Sequence, residues 1–148
     1  MSGEKPARHV HILLVEDNPG DVRLTKEALK DANVSHQLTV VQDGVAAVQF
    51  LTKEGEHAKA ARPDLILLDL NLPKRGGREV LSIIKQDASL RRIPVIVLTT
   101  SNADDDVMRS YELHANAYIE KPLDMDHFVE VFKAIEAFWC RIVTLPHE

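Results

Sequence analysis

Apolar residues along the chain alternate between two rhythms. Short apolar-rich runs occur at 10–15, 38–41, 65–68, 95–98 and 117–119. Between them, apolar positions recur every three or four residues. The first rhythm reads as strands buried on both faces, the second as amphipathic helices. Val22, Leu24, Ala28 and Leu29 supply the apolar stripe of a helix that starts after Asn18-Pro19 and runs to about Ala32. Val45, Val48 and Leu51 mark a second helix, and Val80, Leu81 and Ile84 a third. A polar helix is expected over 103–113, with Asp104-Asp105-Asp106 at the end where the helix dipole favours negative charge. A last helix runs from near Asp124 to about Val143. Loops are expected at 53–62 and 87–93, and Lys74-Arg75-Gly76-Gly77 reads as a flexible turn. Five strands alternating with five helices predict an α/β, doubly wound, five-stranded parallel sheet with helices on both faces.

The sharpest chemical signal is where these strands end. Leu65-Ile66-Leu67-Leu68 is bounded by Pro63 and Pro73 and runs directly into Asp69. The first strand runs into Glu16-Asp17, the fourth into Thr99, and the fifth is followed closely by Lys121. In an open parallel sheet the carboxyl ends of the strands share one edge, and ligands bind there. Each residue alone has an ordinary reading. Asp69 suits a turn, Glu16-Asp17 a helix cap, Thr99 a strand and Lys121 a solvated surface. The coincidence of all four at one edge favours a site.

Composition narrows the chemistry. The chain has 148 residues, enough for one domain with a substantial core, and is 45% hydrophobic and 28% charged. A formal charge of −5 speaks against a broad nucleic-acid-binding face. Cys140 is the single cysteine, which excludes an internal disulfide and fits a reducing compartment, as a packing residue. With no signal-like or membrane-spanning run, the expected location is cytoplasmic. Three carboxylates in one site repel one another unless a divalent cation sits among them. An all-oxygen donor set without His or Cys favours Mg²⁺ over zinc. With Lys121 and Thr99 beside it, Asp69 has the surroundings of a nucleophile that takes up a phosphoryl group. His9 and His11 share one strand face, and an exposed strand start explains them better than a metal site.

Glu16-Asp17, Asp69, Thr99 and Lys121-Pro122 stand in the order and with the spacing of the receiver domain of two-component response regulators, which nearly the whole chain resembles. The resemblance implies a flavodoxin-like receiver fold in which Asp69 accepts phosphate from a histidine kinase. It implies that Asp17, Asp69 and the backbone carbonyl of Asn71 hold Mg²⁺, with Glu16 acting mostly through water. Lys121 would pair with the acceptor and then the phosphoryl group, Thr99 and Tyr118 would form a switch pair, and the Lys121-Pro122 bond would be cis. Receivers often carry Asp where this chain has Gly76, a departure expected to loosen the turn without touching the chemistry. Leu68 to Lys74, Gly77 to Leu81, Ser110 to His114 and Phe138-Trp139 with Val143 to Pro146 look like single-domain regulators that partner phytochrome histidine kinases.

Two other classes compete. An Asp-nucleophile phosphohydrolase places a second acid two residues after the nucleophile, but here that residue is Asn71, with no titratable proton to give. A transcription factor needs a DNA-binding module, for which the chain is expected to have no room. The expected organisation is a loose N-terminus at 1–8, a receiver domain at 9–143 and a tail at 144–148. On the last helix Met125, Phe128, Phe132, Ile135, Trp139 and Ile142 form the stripe for the sheet. Val129, Val131, Ala134, Phe138 and Val143 widen it past one face. Phe138, Trp139 and the tail are therefore expected to form a homodimer surface.

Overall fold

The computed structural model describes residues 10–52, 62–70, 72, 76–99, 117–120 and 123–141, with side chains excepted at 99, 117, 118, 120 and 136–141. The elements are β1 (Val10–Val15), α1 (Pro19–Asp31), β2 (His36–Val41), α2 (Gly44–Leu51), β3 (Leu65–Asp69), α3 (Gly77–Gln86), a 3-10 turn (Leu90–Arg92), β4 (Val95–Thr99), β5 (Ala117–Glu120) and a last helix (Met125–Arg141). The strands form one parallel sheet in the order β2-β1-β3-β4-β5. The order reverses between β1 and β3, and such a switch point opens a crevice beyond the strand ends.

Strand alternation divides the core into two layers. Ile12 and Leu14, Leu65 and Leu67, and Ile96 and Leu98 pack with Ala28 and Leu29 of α1 and Phe128 and Phe132 of the last helix. Those two rings stack with centroids 4.6 Å apart. Leu13 and Val15, Ile66 and Leu68, and Val95 and Val97 pack instead with α2 and α3. Every residue of β1 and β3 is buried, as strands covered by helices on both faces require.

Local chemistry sets the element ends. Asn18 caps α1 by accepting the Asp21 amide at 3.0 Å, with Pro19 in the first turn. At its other end Asn33 takes φ 60, its amide reaches the Lys30 carbonyl and the Val34 amide reaches the Leu29 carbonyl. That pairing closes the helix with a left-handed residue, one Asn tolerates better than most. Asp43 caps α2 through the Ala46 amide at 2.8 Å. The Asp87 carboxylate accepts the amides of Leu90 and Ser89, which hold its pKa below the usual carboxylate range.

Several expectations need correction. β2 begins at His36, two residues before its apolar run, because it pairs with β1 from Val10 onward. Val45 is 39% exposed, while Ala47, Phe50 and Leu51 face the core. Of the expected stripe, Leu51 is buried and Val48 packs against the core, and only Val45 turns outward. The loop after α3 contains the 3-10 turn. His11 is not an exposed strand start. It is buried, with Nε2 3.2 Å from the Thr39 hydroxyl and its ring edge-on to Phe50. The anticipated helix at 103–113 lies outside the described residues.

Candidate functional site at the carboxyl edge of the sheet

The strand register brings the chemical residues to one edge. Val15 is level with Leu68 of β3, and Asp69 is level with Leu98 of β4. Thr99 is in turn level with Glu120 of β5. Glu16-Asp17, Asp69 and Thr99 therefore crown three adjacent strands at the switch point. Lys121 follows Glu120 directly in sequence, but its placement, like that of Asn71, lies outside the described residues. The backbones of Thr99 and Tyr118 are in β4 and β5, and their side chains are likewise outside the description.

Hydrogen bonds past the strand ends fix the acids. The Glu16 amide donates to the Val41 carbonyl at 3.0 Å, which carries the β1–β2 ladder one residue further. The Leu70 amide donates to the Leu98 carbonyl at 3.0 Å and does the same for β3 and β4. Asp69 is thus held between two ordered neighbours. Glu16 Oε2 accepts the Asn18 amide at 3.2 Å, so the turn that starts α1 also orients the glutamate. Asn18 is recognisable in the sequence as a helix start, whereas the hold of its amide on Glu16 depends on the fold of the turn.

Carboxylate oxygens of Glu16, Asp17 and Asp69 lie within 4.8 Å of one another. Glu16 and Asp69 are 0% and 2% exposed, while Asp17 is exposed. Two buried carboxylates with a third at the mouth form an acidic pocket open on one side. Separations of this size allow the three acids to share one hard cation, directly or through a bridging water, and oxygen donors of this kind bind Mg²⁺, Ca²⁺ or Mn²⁺ rather than a soft metal. The pocket therefore fits a divalent cation, which would neutralise the mutual repulsion of the acids and leave Asp69 a usable oxygen.

Gly77, taken in sequence as part of a flexible turn, is a structural requirement of this site. It is the first residue of α3, and its amide donates to the Leu70 carbonyl at 3.2 Å. A Cβ there would be driven into the Asp69 carbonyl oxygen and the Leu70 Cα. Only glycine lets the helix start so close to the end of β3. Among the described residues nothing lies within 4 Å of the equivalent point on Gly76.

Comparison with known proteins agrees with this geometry. The family model for the response regulator receiver domain matches residues 12–133. Response regulator Rcp1 of Synechocystis sp. is 53% identical over 135 residues, which span 91% of this chain and 92% of that protein. The crystal structure of the phosphorylated cyanobacterial phytochrome response regulator RcpA superposes with a TM-score of 0.83 at 52% identity, covering 95% of this chain and all 100% of the other. The Mn²⁺-bound form of Rcp1 superposes at 0.81 with 51% identity, covering 93% and 99% of the two chains. Fold, acidic edge and sequence converge: this chain belongs to the response regulator receiver domain family, the phosphorelay partners of histidine kinases.

Proposed function

We propose that Asp69 is the phosphoacceptor. The observation that carries this reading is the convergence of Glu16, Asp17 and the 2%-exposed Asp69 within 4.8 Å. An Asp69 carboxylate oxygen attacks the phosphorus of a kinase phosphohistidine. An O–P bond forms, the N–P bond breaks, and the imidazole leaves with the electron pair and takes a proton from water. The product is an acyl phosphate. Mg²⁺ bound by Asp17, Asp69 and the Asn71 carbonyl, with Glu16 acting through water, would supply charge neutralisation for the transferring group. Lys121 supplies a compact positive charge to a phosphoryl oxygen and Thr99 a hydroxyl donor. Asn71 offers no proton to a leaving group, which favours a signalling state over rapid hydrolytic turnover.

The relatives favour a phytochrome-type kinase as donor, since RcpA is described as a phytochrome response regulator. Phosphotransfer from a phytochrome kinase should outpace transfer from an unrelated histidine kinase in a side-by-side time course. Equal rates would remove the phytochrome assignment and leave the acceptor chemistry standing. In the metal site, Asp17→Asn should weaken Mg²⁺ binding by about ten-fold or more, because one carboxylate charge near the ion is worth about 1–3 kcal/mol. An unchanged titration curve would take Asp17 out of the coordination shell.

Output runs through protein contact. Phosphorylation adds close to two negative charges and new acceptor oxygens. Thr99 moves toward them, and Tyr118 fills the space it leaves, as a shift between two packings. Thr99→Ala should still be phosphorylated yet lose any phosphorylation-dependent change in partner binding. A normal response in that variant would make the hydroxyl dispensable.

The last helix is the proposed homodimer surface. Phe128 and Phe132 are buried in the core, Met125, Val129, Val131 and Ile135 are half-buried, and Ala134 is exposed. Phe138 and Trp139 continue the helix in backbone, about 100° apart around its axis. They cannot both serve the sheet contact. Phe138→Ala or Trp139→Ala should move the protein toward monomer in sedimentation across a concentration series, since truncating an aromatic anchor costs about 2 kcal/mol or more. Wild type that stays monomeric at every concentration, with and without phosphate, would leave this surface without a self-association role.

A further inference from the structure

β2 is an edge strand of the sheet, hydrogen-bonded on one side to β1 and Glu16. Edge strands are usually blunted by charged residues, proline or a bulge. His36–Val41 has none of these: its sequence is HQLTVV and its register with β1 is unbroken over all six residues. Beside it lies a groove of about 500 Å³ between β2 and the second half of α1. Val34 and Leu38 contribute apolar surface, Lys26, Lys30 and His36 contribute basic groups, and among the described residues Glu27 is the one acid lining it. Among the described residues neither lysine takes part in an ion pair, and both are exposed. The Val34 carbonyl can only accept, so His36 Nδ1, 2.8 Å away, carries its proton and Nε2 remains as the second polar atom of the ring. This basic face belongs to a chain of net charge −5.

We propose that the β2 edge and its adjoining groove dock an extended acidic segment of a partner protein, which adds a sixth strand to the sheet. An unblunted edge supplies a row of backbone donors and acceptors to such a segment. The lysine spacing fits the same ligand. Lys26 and Lys30 are one helical turn apart, about 5–6 Å between Cβ atoms. Alternate residues on one face of a strand are about 6.6 Å apart, so acids at every second position meet both ammonium groups. A second copy of this chain fits poorly, because its own β2 has no acidic residue to answer the lysines. The groove lies at the far end of α1 from Asn18 and the carboxylates, so its occupant and the phosphodonor need not compete.

The test is selection of random eight-residue peptides displayed on phage against the full-length protein, in parallel with a Lys26→Glu/Lys30→Glu variant. Selected peptides should carry Asp or Glu at alternate positions, bind the variant about ten-fold or more weakly, and slow amide hydrogen exchange in 36–41. The variant should still be phosphorylated at the wild-type rate, which shows that it is folded. Peptides without an acidic excess, equal binding to the variant, protection confined to other elements, pairing of β2 with a second copy, or no enrichment would each overturn the proposal.

Discussion

Asp69→Asn should melt at a higher temperature than wild type in metal-free buffer. The substitution removes one of three carboxylates whose oxygens lie within 4.8 Å, two of them buried. At such distances and an effective dielectric near 20, relieving like-charge repulsion is worth about 1–3 kcal/mol. For a domain of this size that corresponds to roughly 3–9 °C. Added Mg²⁺ should then raise the melting temperature of wild type and close the gap, because the ion stabilises only a folded state that binds it. The site would thus hold acids that disfavour the empty fold in order to bind a metal and a phosphoryl group. A variant that melts below wild type without metal would show that Asp69 contributes net attraction to the fold.

Gly77→Ala should cost more than the same methyl at Gly20 or Gly76. The new Cβ meets backbone atoms of Asp69 and Leu70, not the end of a pliable side chain, so either α3 or the end of β3 must move. Overpacking of this kind costs about 1–3 kcal/mol, or roughly 3–9 °C in melting temperature. The displacement falls on the backbone that carries Asp69, so the phosphorylation rate should fall as well. Gly76→Ala is the internal control: its φ of −68° suits any residue, and no described residue lies within 4 Å of the added methyl. It should stay within about 0.5 kcal/mol of wild type. Equal behaviour of the two variants would mean that α3 can slide away from β3 at little cost.

The two glycines also show where reading the sequence stops. Their neighbouring positions look alike in one dimension, and only Gly76 stands out there, as a departure from the family pattern. Close approach between α3 and the end of β3 is a tertiary fact, and it separates an obligatory glycine from a replaceable one. The strand ends were legible because apolar runs stop abruptly at Glu16, Asp69 and Thr99, and the parallel register then leaves those residues little choice of neighbours. The facing of α2 is only partly legible: Val48 and Leu51 pack against the core but Val45 does not. Its helix offers apolar residues all round, and the buried set was decided by contact with Leu13, Val15 and α3. His11 is a related case. A histidine at a strand start is polar by type, yet its place between β2 and Phe50 buries it.

The most direct test of the central claim is to locate the phosphoryl group. The protein is incubated with Mg²⁺ and a small acyl phosphate donor, trapped by borohydride reduction, digested and mapped by mass spectrometry. One phosphoryl group per chain is expected, base-labile before trapping, with the reduced residue at position 69 and no label in Asp69→Asn. Trapping at Asp17, or full labelling of Asp69→Asn, would contradict it.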